Sequence, residues 1–496
     1  MQSIAAESRP ETGLAPAWVR DAVFYQIFPD RFAKSPRVAK PSNLETWESA
    51  PTVQGFKGGD LLGIVEHLDY LQDLGVTAIY LCPIFRSTAN HRYHTHDYFS
   101  IDPMLGGNEA FGTLLAEVHA RRMRLILDGV FNHCGRSFFQ FAHILENGGN
   151  SPYLDWFTIS SWPLHPYGPA DLPPGYACWW NDRALPEFNT DTQAVREFLW
   201  EVGEFWIRQG VDGWRLDVPN EINDDDFWRE FRLRVKRANP DAYIVGEIWG
   251  DARRWLAGDQ FDAVMNYPFT RACLGFFSGT RGIDDAGVSS TGLSAIDPLD
   301  ASGFQTQLET LLGAYPWEIV LSQLNVLGTH DTPRYLSTVN GDETSLRLAY
   351  LFQATFPGAP CIYYGDEIGM TGAGTIEAAR CAFPWDPSDW NSSLLGHLNS
   401  CIQLRKEHEV LRHGDFRSLF AEGDLYVFAR MLGDAVAIIA LNAGDQPLEV
   451  DTPLPDHLLG LRDIREAWGA AGQVTGATAR WQLPARSGVV LLARTG

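Results

Sequence analysis

Short apolar runs alternate along most of the chain with segments whose apolar positions recur every three or four residues. That alternation is the pattern of a parallel α/β protein. Eight runs read as strands: 23–27, 78–81, 125–128, 213–217, 243–247, 263–266, 324–327 and 361–364. Amphipathic stretches lie between several of them, such as 64–74, where Ile64, Leu68, Leu71 and Leu74 share one helical face. Eight βα units predict a closed (β/α)8 TIM barrel with its chemistry at the C-terminal ends of the strands. A doubly wound sheet would carry a glycine-rich phosphate turn after its first strand, and none follows Ile27.

Two stretches break the alternation. Residues 134–185 are rich in proline, glycine and aromatics and lack helical periodicity, which predicts an irregular subdomain inserted after the third strand. Beyond residue 413 the runs turn short and β-like, at 425–428, 435–441, 478–483 and 489–492, with Gly- and Pro-containing turns between them. They predict a C-terminal antiparallel β-sandwich. The expected organisation is an N-terminal extension at 1–17, a barrel at 18–133 and 186–413, an inserted subdomain at 134–185 and a sandwich at 414–496. A Gly/Ser/Asp/Thr-rich loop at 281–294 is the one low-complexity segment.

Composition narrows the ligand. The 496 residues carry 39 Lys+Arg against 62 Asp+Glu, a formal charge of −23, which argues against a nucleic-acid or acidic polysaccharide partner and fits a neutral one. The 17 Trp supply flat faces on which a ring can stack, with Trp249 the favoured one, Trp179 and Trp180 undecided, and Trp214 assigned to the core. The first residues lack a secretory leader, and no apolar run is long enough to span a membrane. Seven scattered Cys without a CxxC pair make a zinc framework or disulfide scaffold improbable, so a cytoplasmic location is expected.

Several strands end in polar residues where a barrel places its active site. The run at 125–128 leads into Asn132 and His133, 213–217 contains Arg215 and Asp217 on one face, 243–247 ends in Glu247, and 324–327 leads into His330 and Asp331. One such acid would read as a helix cap, but polar groups at four strand ends point to a shared site. Three acids and two His at one barrel mouth suggest glycosidic-bond cleavage, with one carboxylate as nucleophile and a protonated carboxyl as acid. Arg215 is expected to hold Asp217 ionised, and Glu247 to keep its proton through burial and neighbouring negative charge.

The segments 128–135 (DGVFNHCG), 213–221 (GWRLDVPNE), 246–251 (GEIWGD) and 327–334 (LGTHDTPR) resemble, in order and spacing, the four signature regions of the α-amylase family, glycoside hydrolase family thirteen. The resemblance implies retention of configuration, with Asp217 as nucleophile, Glu247 as general acid/base and Asp331 as transition-state stabiliser. It implies a substrate-binding set of Tyr93, His133, Arg215, His330, Asn220, Glu221, Trp249 and Arg334. The segments 21–32, 56–64, 185–189 and 361–370 are similar to the cyclomaltodextrinase, neopullulanase and maltogenic amylase group, although Glu187 stands for its usual Lys, Phe188 for Leu, Pro219 for Ala and Gly250 for His. That group generally carries an N-terminal β-domain for which the residues before Trp18 leave no room, so the oligomeric state is left open. The partners implied are neutral α-glucan oligosaccharides or polysaccharides, with no nucleic acid and no membrane.

No cofactor is expected and no metal ligand is assigned, with calcium left open. His91, His94 and His96 lie in a cleft loop beside Tyr93, and the stretch after the first strand keeps Gly59 and Asp60 but lacks the clustered oxygens that calcium prefers. The acid runs at 224–226 and 284–285 read as solvated loop and helix-start charge, and Cys134 as a small packing residue. The alternatives are an α-glucosidase or glucan transferase of the same family and, more distantly, a non-catalytic binding module.

Overall fold

The computed structural model describes residues 15–496 except 170, 280–281, 285–287, 289–292, 294–295 and 470–471. The predicted N-terminal extension, most of the 281–294 loop and Asp285 therefore lie largely or wholly outside the described residues. Eight parallel strands form the central sheet: β1 (Phe24–Ile27), β2 (Ala78–Leu81), β3 (Arg124–Gly129), β4 (Gly213–Leu216), β5 (Tyr243–Gly246), β6 (Ala263–Val264), β7 (Leu324–Val326) and β8 (Ala359–Tyr363). Their hydrogen-bonded order is β6-β5-β4-β3-β2-β1-β8-β7. A parallel bridge between Met265 and Leu324 joins β6 to β7 and closes the barrel.

The strands are apolar because both their faces are covered, one by the barrel interior and one by helices. The helix Gln193–Arg208 shows the complementary pattern, burying Val195, Leu199, Val202 and Trp206 along one stripe. Trp214 is fully buried and donates its indole N–H to the Gly203 carbonyl at 3.0 Å, as a core residue should. Asp224 caps the helix Asp225–Ala238 through the Phe227 N–H, so this acid run starts a helix.

The 134–185 stretch is less irregular than expected, since it contains the helix Phe139–Asn147. Only Phe141 and Ile144 of that helix are buried, a pair too short to register as a periodic signal. Beyond the barrel, a five-stranded sheet runs in the order Asp415–Glu422, Leu425–Leu432, Ala435–Asn442, Ser487–Arg494, Arg462–Trp468. A three-stranded sheet of Leu448–Pro453, Thr478–Leu483 and Gly472–Thr475 lies against it. Alternate residues of the central strands serve two cores: Leu425, Val427 and Ala429 pack on Trp481 and Leu483, while Tyr426 and Phe428 face the barrel helices. Among the described residues no helix is long and apolar enough to cross a membrane.

Candidate active site

Arg215, on β4, organises the mouth of the barrel. Its guanidinium is wholly buried and meets three carboxyl groups from three consecutive strand ends. Nη1 donates to Asp128 Oδ1 and Oδ2 at 2.9 and 3.0 Å and to Asp217 Oδ1 at 2.9 Å, while Nη2 lies 2.8 Å from Glu247 Oε2. The two-residue strand period places Arg215 and Asp217 together, as expected, and barrel closure supplies the other two acids. Asp128 also accepts from the Tyr80 and Tyr93 hydroxyls at 2.7 and 2.9 Å.

Asp217 directs its second oxygen elsewhere. Oδ2 lies 3.9 Å from His133 Nε2, and that nitrogen is buried without a hydrogen-bond partner among the described residues. Glu247 Oε2 accepts the Val218 N–H at 3.1 Å as well as facing Arg215, and Oε1 accepts the Trp249 indole N–H at 3.2 Å. Val218 presents that N–H from a left-handed conformation at φ 34°, which a β-branched residue adopts only where surrounding structure holds it.

Burial pushes Asp217 well above the ordinary carboxylate range; Arg215 opposes this, and the charges of Glu247, Asp128 and Asp331 add to it. Arg215 therefore pairs with Asp217 as expected, yet its charge is divided among three acids. Burial likewise raises Glu247 to about 7, against the pull of Arg215 and with the charge of Asp331 adding to it. Asp331 behaves in the opposite way. Burial would raise it, but His330 Nε2 at 2.9 Å and Arg380 Nη2 at 3.0 Å hold it below the usual carboxylate range. His330 is stacked on Tyr93 with ring centroids 5.5 Å apart and receives Gln26 Nε2 at 2.7 Å.

The other expected binding residues separate into groups. Trp249 is partly exposed and lies flat on Tyr267, centroids 3.6 Å apart. Asn220 and Glu221 are exposed and hydrogen-bonded to each other on the turn after Asp217. Arg334 stands apart: it is fully buried, pairs with Asp366 at 2.7 Å and donates to the Tyr364 carbonyl, so its charge is held within the fold. Burial pushes the Cys134 thiol up, in keeping with a packing residue. Asp128, Gln26, Arg380 and Tyr267 were not singled out from the sequence. Asp128 lies at a strand end like the other acids and opens the signature segment 128–135, and these are its signals in the sequence.

The residues after β1 do not suit a calcium ion. Asp60 is occupied by Lys40 Nζ at 3.1 Å and by the Gly63 and Ser35 N–H groups, and Asp30 by Arg31 and the backbone of Lys57 and Gly58. Among the described residues, no group of three His, Cys, Asp or Glu side chains could hold a metal.

A (β/α)8 barrel with three acids gathered at its mouth defines a glycoside hydrolase class. The model of the α-amylase catalytic domain matches residues 26–389, and a neopullulanase-like C-terminal domain matches 416–461; the chain belongs to the α-amylase family of glycoside hydrolases. It is 45% identical over 444 residues to a cyclomaltodextrinase of Geobacillus thermopakistaniensis, covering 89% of this chain and 72% of that protein. Two solved structures are similar over nearly the whole length. Ttha1563 from Thermus thermophilus has a TM-score of 0.88 and 47% identity, covering 97% of this chain and 100% of that one. A debranching enzyme from Nostoc punctiforme has a TM-score of 0.88 and 47% identity, covering 96% and 99%.

Proposed function

We propose that the protein is a retaining hydrolase of α-1,4-glucosidic bonds in maltooligosaccharides, cyclodextrins and starch- or pullulan-type chains, with some transglycosylation. The observation that carries this reading is the single buried guanidinium of Arg215, which touches Asp217 and Glu247 together and so brings two carboxyl groups to one bond.

The residue roles follow from which oxygens are already engaged. Asp217 Oδ1 is engaged by Arg215, so Oδ2 is the oxygen free to attack the anomeric carbon. Glu247 Oε2 faces Arg215 and accepts the Val218 N–H, so Oε1, which the Trp249 indole N–H also reaches, carries the proton. In the first step Glu247 gives that proton to the glycosidic oxygen as the C–O bond breaks, and Asp217 forms the glycosyl ester. In the second, Glu247 takes a proton from water, or from a sugar hydroxyl in transfer, as the ester is released. Asp331, kept ionised by His330 and Arg380, grips sugar hydroxyls as positive charge develops on the ring. Tyr93 and His133 line the same mouth, Trp249, Asn220 and Glu221 receive the leaving portion, and a cytoplasmic location fits seven unpaired cysteines.

Glu247→Gln tests the assignment. Its kcat on maltotriose is expected to fall by about three orders of magnitude or more with the fold intact; turnover near that of the parent would refute it. Products from maltotriose, β-cyclodextrin and pullulan then fix specificity: maltose with ring opening supports this reading, glucose alone from linear chains an α-glucosidase.

A further inference from the structure

The large aromatic side chains left exposed among the described residues are Phe139, Trp162, Tyr167 and Trp180, and all four fall within 134–185. Only one of them connects to the catalytic acids through stacked rings. Trp180 is 78% exposed and lies parallel on Trp179, with centroids 4.9 Å apart and 11° between planes. Trp179 in turn stacks on His133 at 5.3 Å, and His133 Nε2 faces Asp217 at 3.9 Å. A ladder of three rings thus climbs from the acid to solvent.

Two further observations set this ladder apart from ordinary packing. Trp180 and Asn181 both adopt left-handed backbone, with φ of 49° and 59°, a conformation that disfavours any residue with a Cβ. The turn is held by its own hydrogen bonds, Asn181 N–H to the Cys178 carbonyl and Asp182 N–H to the Trp179 carbonyl, at 3.2 and 2.8 Å. Its effect is to lay a large indole flat with one face open to water. The second observation is polar: Trp179 Nε1 and His133 Nε2 are both buried and have no hydrogen-bond partner among the described residues. Buried polar atoms of this kind are normally satisfied, so these two await a ligand rich in hydroxyls.

We infer that Trp180 is the outer platform of a glucan-binding subsite, holding a pyranose ring two ring-steps beyond His133 and favouring longer α-glucan chains over short ones. The C–H face of a pyranose is complementary to the electron-rich face of indole, and the Trp179 and His133 nitrogens hydrogen-bond hydroxyls of the rings nearer the acids. The inference rests on the proposed action on α-glucans and extends it to substrate length.

The ratio of kcat/KM for maltoheptaose to that for maltotriose reads the platform directly. Trp180→Ala is expected to lower this ratio roughly tenfold, mostly through a higher KM for maltoheptaose, and Trp180→Tyr to restore most of it. Tyr167→Ala, equally exposed but off the ladder, is expected to leave the ratio unchanged. An unchanged ratio in Trp180→Ala, or an equal fall in Tyr167→Ala, would overturn the inference. Calorimetry of maltoheptaose binding to Glu247→Gln, with and without Trp180→Ala, reads the same platform without turnover. Equal affinity in the two proteins overturns the platform, whereas failure of the parent to cleave either oligosaccharide counts against the proposed activity instead.

Discussion

Two buried arginine sites in this molecule solve the same electrostatic problem in different ways. At the barrel mouth, Arg215 is surrounded by three carboxyl groups. At the seam between barrel and sandwich, Arg405 and Arg430 are equally buried, and their hydrogen bonds run to backbone carbonyls. Arg405 donates to the carbonyls of Ala354, Phe356, Gly358 and Leu411, and Arg430 to those of Thr355, Leu411, Gly414 and Asp415. Carbonyls cannot change charge, so the seam is a fixed clamp on the ends of helices and strands. Carboxyl groups can, so the mouth can gain and lose protons. The same guanidinium serves as glue in one place and as a tuning charge in the other.

Breaking each site should separate these roles. Asp217→Asn removes the nucleophilic oxygen and is expected to lower kcat by roughly four to five orders of magnitude with little change in Tm, measured on maltotriose. Arg405→Met should do the reverse. It leaves several buried carbonyls unsatisfied, so about 3–5 kcal/mol of stability is expected to be lost in denaturant unfolding, while the folded fraction keeps its kcat. Loss of turnover per folded molecule in that variant would mean that the seam communicates with the mouth.

The proton chemistry gives a finer distinction. Glu247 must be protonated to act, so kcat/KM is expected to fall as pH rises through about 7, with the acidic limb set by ionisation of the coupled Asp217–Glu247 pair. A flat profile between about pH 4 and about pH 9 would contradict this pairing. Stability carries the same sign. A carboxyl raised in the folded state favours folding below its unfolded pKa and loses that contribution as pH rises through about 7. The Tm of Glu247→Gln relative to the parent is therefore expected to increase from pH 5 to pH 8, the smallest of these effects.

The same contrast bears on what could be read in advance. All eight barrel strands were visible as apolar runs because both faces of each are buried. The strands Asp415–Glu422, Leu448–Pro453, Arg462–Trp468 and Gly472–Thr475 were not, because they lie mostly on the surface and carry mixed, polar residues; Arg462–Glu466 is exposed throughout. In the site, Arg215 and Asp217 were legible through a two-residue period, and Glu247 and Asp331 through their places at strand ends. Arg380, which reaches Asp331 from 49 residues away, and Gln26, which meets His330 across the barrel, depend on closure and leave no local pattern. Arg334 shows the converse, since its place in a signature segment says nothing about the Asp366 partner that draws it inward. The division of Arg215 among three acids, and with it the raised Asp217, is likewise a property of the closed barrel.

The most direct measurement is mass spectrometry of the enzyme after reaction with a fluorinated α-glucosyl fluoride that slows release of the glycosyl ester. One glucosyl adduct per chain is expected, carried by the peptide containing Asp217 and absent from Asp217→Asn. An adduct on Asp128, Asp331 or Glu247, or turnover of this reagent with inversion and no adduct, would contradict it.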